Sequence, residues 1–341
     1  MWRGCLGLVL ACASLPAQTY NPEALAQAQL GVDQAQKQHY REAIEAYRAA
    51  VKIDPTLPGI YLNLGLAYFK LGNFREAIPA LEREDSRSPS QQVSTLLAMS
   101  YFGLGRYREA AERLRPLAEA QPDNPELTYV LAKSYLWSGQ NREAMEIFKT
   151  LLERDPNSAA VHMLLGEALD ANHQTEDAIA EFQAAAKAAP AQPDVHFGLG
   201  YLHWEHKRYE AAEPEFREEL RNNPRHAQAM AYLGDTMMKG ARQAEALDTL
   251  RNALRLDKNL RIAHFDLGVL LAERGSNESA IAEFREAIRI DPDRPEAHYR
   301  LARLYQQLGR TADAAQEFAA VKKLQQRKHD EEPPLTLRHP Q

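Results

Sequence analysis

Apolar and polar positions follow the 3.6-residue rhythm of amphipathic helices along most of the chain, and the rhythm restarts at regular intervals. In residues 58–89 an apolar run from Gly59 to Leu71 stops at Gly72; a second run starts after Asn73 and is closed by Pro89. Glycine ends helices because it enters the left-handed region without steric cost, and proline cannot continue one. The spacing predicts two helices joined by a tight turn, with Asn73 capping the second and Glu76 reaching back to it.

The layout recurs. Alanines fall at Ala43, Ala77, Ala110, Ala144, Ala178, Ala212, Ala246, Ala280 and Ala314, spaced by 34 residues except for one step of 33. Prolines keep the beat at Pro55, Pro89, Pro122, Pro156, Pro190, Pro224 and Pro292, and glycines at Gly31, Gly65, Gly166, Gly200, Gly234 and Gly268. Three residue types with separate roles share one period, the mark of stacked supersecondary units that cover each other's apolar faces. The fold class is therefore all-α, with nine units at 24–57, 58–90, 91–124, 125–158, 159–192, 193–226, 227–260, 261–294 and 295–328. Gly65 and Ala77 predict close approach of the paired helices, with Tyr68, Phe74 and Leu81 filling the space around that contact. Pro79, Pro116 and Pro214 lie inside second helices and predict kinks.

The unit resembles the tetratricopeptide repeat. That family's pattern appears as Tyr61, Leu64, Gly65, Tyr68, Gly72, Phe74, Ala77 and Pro89, and again as His264, Leu267, Gly268, Gly275, Ala280, Phe284, Ala287 and Pro292. Departures are local: unit 58–90 is one residue short, Ala98 and Ala132 stand in the small-glycine slot, and Lys258 replaces the closing proline. The resemblance implies a right-handed α-solenoid superhelix whose concave surface, lined by first helices, binds extended or helical peptides.

On the first helices, the stripe beside the core positions is apolar rather than polar. It holds Leu62, Leu66, Phe69, Met99, Phe102, Tyr129, Leu136, Trp137, Met163, Phe197, Tyr201 and Trp204, with Lys133 among the aromatics. Aromatic and Met side chains on rigid helices offer large contact area at small entropic cost, which suits a peptide-binding groove. Packing against the next repeat or against a second copy of the chain would use the same stripe. In some family members paired Lys and Asn or Arg grip a carboxylate terminus. Here Lys70 and Lys133 lack such partners, while Glu167, Asp170 and Asp235 would repel one, so the expected ligand is an apolar segment with positive charge toward the later repeats.

Composition narrows the class. The chain of 341 residues is 45% hydrophobic and 26% charged with a net charge of −6, which excludes a multi-span membrane protein and argues against nucleic acid as partner. Residues 1–17 (MWRGCLGLVLACASLPA) read as an export signal, implying a periplasmic or secreted protein; an unprocessed apolar first helix and a lipoprotein anchored at Cys12 are the other readings. Residues 18–23 read as a linker and 329–341 as a disordered tail. Cys5 and Cys12 both fall in the signal, so the remainder has no disulfide and no thiolate metal site. No phosphate loop, dinucleotide fingerprint, HExxH helix or nucleophile elbow occurs, so neither enzyme activity nor a cofactor is expected. His162, His196, His264 and His298 share one repeat slot, too far apart in stacked hairpins to share an ion, and read as packed rings. His203 and His206, and the run Glu218-Glu219, read as solvated. The sequence thus points to a non-enzymatic protein-binding scaffold of the cell envelope, with a self-associating module or an accessory to a glycosyltransferase as alternatives.

Overall fold

The computed structural model describes residues 20–331. Among them the only regular elements are helices, paired as hairpins. The pairs are α1 (Pro22–Gln36) with α2 (Tyr40–Ile53), α3 (Ile60–Lys70) with α4 (Phe74–Arg87), α5 (Gln91–Gly103) with α6 (Tyr107–Ala120), and α7 (Pro125–Trp137) with α8 (Asn141–Arg154). They continue as α9 (Ala159–Ala171) with α10 (Thr175–Ala188), α11 (Val195–Glu205) with α12 (Tyr209–Asn222), and α13 (Ala227–Lys239) with α14 (Gln243–Leu256). The last are α15 (Arg261–Glu273) with α16 (Asn277–Ile290) and α17 (Pro295–Gln307) with α18 (Thr311–Glu331). The chain divides into two compact units, Met1–Ala178 and Ile179–Gln341, with the division inside α10. Within each unit a helix packs on its neighbours in sequence, and several first helices also touch the next first helix, as α3 does α5 and α13 does α15. That is the α-solenoid the period predicts. No described helix is long and apolar enough to cross a membrane. The expected signal lies outside the described residues; of the expected tail, residues 329–331 are the last turn of α18, and the rest also lies outside.

The hairpin turn is built by backbone rather than by side chains. Gly72 takes φ +75°, its N–H bonds to the Phe69 carbonyl at 2.9 Å, and the Asn73 N–H bonds to the Tyr68 carbonyl at 3.0 Å. This pair of bonds is a Schellman closure, which satisfies carbonyls that a helix end leaves open. Asn73 does stand at the N-cap of α4, but its side chain makes no capping bond, so the expected capping box is not formed. The closure repeats at Gly105, Gly139, Gly275 and Gly309, and also at Gln38, His173, Lys207 and Ala241, which adopt positive φ without being glycine.

The small first-helix residues work as predicted. A Cβ on Gly65 would lie 2.6 Å from the Leu81 side chain, and one on Gly200 would lie 2.8 Å from the Phe216 ring, so each glycine is what lets a large residue of the second helix seat against the first. Helices α4, α6 and α12 run on through Pro79, Pro116 and Pro214 without interruption.

Two first helices begin unusually. Both α3 and α11 follow a residue in the left-handed region, Gly59 at φ 67° and Asp194 at φ 66°. In place of a local cap, a buried glutamate from the second helix receives the exposed N–H groups: Glu84 accepts from Tyr61 and Leu62, and Glu219 accepts from Asp194 at 3.3 Å and Phe197 at 3.2 Å. Glu219, expected on a solvated face, is fully enclosed because this capping role needs it inside.

Candidate functional site

In the first unit, Tyr129, Lys133 and Trp137 follow one another at i, i+4 and i+8 on α7 and therefore share one face. Phe102 from α5 and Tyr107 from α6 close on that face, with the Phe102 ring 5.5 Å and the Tyr107 ring 5.0 Å from Trp137. The Lys133 ammonium sits 4.4 Å from the Trp137 ring centre, 5.5 Å from Tyr129 and 5.9 Å from Phe102. Each ring presents its negative face to the cation, so the amine is held without a hydrogen-bonded carboxylate. Burial among the rings pulls the Lys133 amine below its ordinary range, against the pull of the Glu167 charge. Glu167 itself is open to solvent on its outer side, yet partial desolvation pushes its carboxyl up, opposed by Lys133. Trp137 remains 41% exposed, a large apolar surface with no covering group.

The rest of the expected stripe divides. Phe69, Met99 and Met163 are half-buried, Phe69 lying edge-on against Phe74 with ring centres 5.5 Å apart. Leu62, Leu66 and Leu136 are buried, the first two inside the core between hairpins, so they present no surface to a ligand and are corrected to structural positions. In a stacked repeat, leucines beside the core positions meet the adjoining hairpin before they meet solvent.

In the second unit Phe197, Tyr201 and Trp204 line α11 and meet Tyr232 of α13. Trp204 and Tyr232 pack edge to face at 4.7 Å, Tyr201 and Tyr232 at 5.3 Å, and Tyr201 stacks on Trp204 at 5.8 Å. Burial pushes the Tyr232 hydroxyl up to about 12. Below the rings runs a polar thread. The Trp204 Nε1–H donates to Asp235 Oδ2 at 2.6 Å, and the Lys239 amine lies 3.4 Å from Asp235 Oδ1. Asp235 is 3% exposed and Asp266 of α15, beside it, 2%. Burial first, and then the Asp235 charge, push the Asp266 carboxyl well above the usual carboxylate range, so it keeps its proton and shares it with Asp235. Asp266 Oδ2 itself has no hydrogen-bond partner. Asp235, expected to repel anions from the surface, is therefore internal and already matched.

Three of the four repeated histidines are hydrogen-bonded to a glutamate rather than simply packed. His196, His264 and His298 each place Nδ1 within 2.6–2.7 Å of a glutamate nineteen residues on, namely Glu215, Glu283 and Glu317. His264 also points Nε2 at the Lys258 carbonyl, 3.0 Å away; with acceptors on both sides, both ring nitrogens carry protons. Burial alone would lower its pKa, but Glu283 and the carbonyl together raise it. The nineteen-residue spacing recurs three times in the sequence and could have revealed these pairs. Tyr107, Tyr232 and Asp266 carried no such signal. Asp194, Glu219 and His226 also draw together, but Glu219 receives two backbone N–H groups, and His226 accepts from the Ala229 N–H while its Nε2 faces Asp194 at 2.8 Å. Those bonds commit the ligand atoms to ending and starting helices.

Models of the tetratricopeptide repeat match residues 58–90, 101–168, 163–227, 197–260 and 295–328, and a TPR repeat model matches 34–72 and 270–309. No relative is matched among curated proteins. Among solved structures, the chain is similar to a tetratricopeptide repeat protein from Parabacteroides merdae, with TM-score 0.56 and 16% identity over 74% of this chain and 100% of that one. It is also similar to pilF of Pseudomonas aeruginosa, with TM-score 0.54 and 20% identity over 61% of this chain and 97% of that one. With a 34-residue period, a glycine seated under a large residue of the second helix and helical hairpins throughout the described residues, the chain belongs to the tetratricopeptide repeat family.

Proposed function

We propose that the chain is a non-enzymatic scaffold of the cell envelope that binds an apolar segment of a partner protein, with the aromatic patch of Phe102, Tyr107, Tyr129 and Trp137 as its main contact. The observation that carries this reading is the 41% exposure of Trp137 within a cluster whose other rings hold it in place. A preordered indole loses little entropy on binding, and such residues dominate interface energetics. The family's common use in protein and peptide binding supports the same reading, and the export-like residues 1–17 support the location. Selection of a random peptide library on the purified chain is expected to enrich aromatic and aliphatic sequences whose affinity falls about tenfold or more on Trp137→Ala. Enrichment of nothing, or equal binding to the variant with helicity intact, overturns it.

A further inference from the structure

We propose that the first-helix face of α15 and α17 is a second docking groove, for an acidic stretch flanked by apolar residues in a partner protein. It rests on the reading of the chain as a binder of protein segments and extends it to another place and another chemistry.

The groove encloses about 340 Å³. Its floor is apolar, formed by Val269 of α15 with the buried Phe284 and Leu304. Tyr299, 47% exposed and edge-on to Phe318 at 6.1 Å, forms one wall. Arg300 and Arg303, three residues apart on α17, project from the same face.

Charge decides the occupant. Five arginines fall between residues 294 and 327. Arg294, Arg310 and Arg327 each find a carboxylate, at 3.4 Å from Asp291, 2.7 Å from Asp313 and 2.8 Å from Asp293. Among the described residues Arg300 and Arg303 have no ion-pair partner. The only carboxylate among the residues lining the groove, Glu273, accepts a hydrogen bond from the Gln243 amide at 3.0 Å. The nearest buried acids, Asp266 of α15 and Asp235 of α13, share one proton, and Asp235 also binds Trp204 and Lys239, so they do not neutralise the groove. Two planar guanidinium groups beside an exposed tyrosine and an apolar floor suit Asp or Glu side chains next to an aliphatic or aromatic residue. The positive ligand expected from the sequence would be repelled here.

The test uses the full chain and three fluorescein-labelled dodecapeptides that alternate Leu and Phe with Glu, with Gln or with Lys, read by anisotropy at low and at physiological ionic strength. The Glu peptide is expected to bind about tenfold more tightly than the Gln peptide, with the gap narrowing as salt rises. Arg300→Glu with Arg303→Glu should reverse the preference toward the Lys peptide, and Arg303→Gln alone should weaken it if the double variant does not fold. Arg251→Glu with Arg255→Glu changes net charge equally on second helix α14 and should leave the preference in place. Phe102→Ala with Trp137→Ala should also leave it, which separates failure of this groove from failure of the aromatic patch. Equal affinity for Glu and Gln peptides, no measurable binding of the Glu peptide, equal loss in the α14 variant, or displacement of the Glu peptide by a single-stranded oligonucleotide at lower concentration than by excess unlabelled Glu peptide overturns the proposal.

Discussion

The two units place a charge against aromatic rings in opposite ways. Around Trp137 the charge is a cation, Lys133, half-buried, held by ring faces with the Glu167 charge nearby and reachable from solvent. Around Trp204 it is an anion, Asp235, almost fully enclosed, and it receives the indole N–H and a shared proton. Lys133 and Asp235 each follow the small residue of the hairpin, Ala132 or Gly234, by one position. The repeat slot therefore sets where a side chain stands, while its neighbours decide whether it faces a ligand or knits helices together. A buried charge with its partners in place is structural, and removing it strands the others. A half-buried cation over aromatic faces, open to solvent on one side, costs little to lose and leaves its role to binding.

The contrast can be broken most directly by deleting the charges. Asp235→Ala leaves the Trp204 N–H and the Asp266 carboxyl buried without a partner and is expected to cost about 3 kcal/mol in urea unfolding, whereas Lys133→Ala should cost under about 1 kcal/mol. Equal losses would show that the two sites are the same kind of object.

A smaller effect comes from the turns. Gly105 in the first unit sits at φ +72°, and Ala there should destabilise by about 1–2 kcal/mol; Lys207 in the second unit holds φ +59°, and Lys207→Gly should stabilise by about 0.5–1 kcal/mol, read from the shift in thermal midpoint. A loss of stability in Lys207→Gly would mean that its side chain contributes more than its backbone strain removes.

The finest test is pH. The raised carboxyl of Asp266 means that stability held by its proton is complete below the unfolded value near 4 and drains away as pH climbs through the folded value. Asp266→Asn should therefore match the parent near pH 4 and exceed it at neutral pH. His264, also raised, contributes fully below about 6.5 and loses its contribution as pH rises through its folded value, so Glu283→Gln should flatten that part of the profile. The first-unit patch lacks the histidine feature; its raised Glu167 carboxyl drains stability with the same sign as Asp266.

The hairpins, their register and the glycine-to-large-residue contacts were legible because each depends on residues within one period, such as Gly65 and Leu81. What escaped depends on approach in space. Glu219 reads as a surface charge until α11 is seen to start in the left-handed region, with its N–H groups turned toward α12. Asn73 reads as a cap until the Schellman bonds are seen to set the entry to α4. Leu62 and Leu66 read as groove because the pattern shows that a stripe is apolar but not which neighbour covers it.

Because each helix within a unit leans chiefly on helices one or two places along the chain, the contacts that hold the fold are local in sequence. Little loop entropy stands between a collapsed hairpin and its docked neighbour, so nucleation can begin at several hairpins and spread outward rather than wait for distant ends to meet. Shortening at a hairpin boundary should then trim stability in steps.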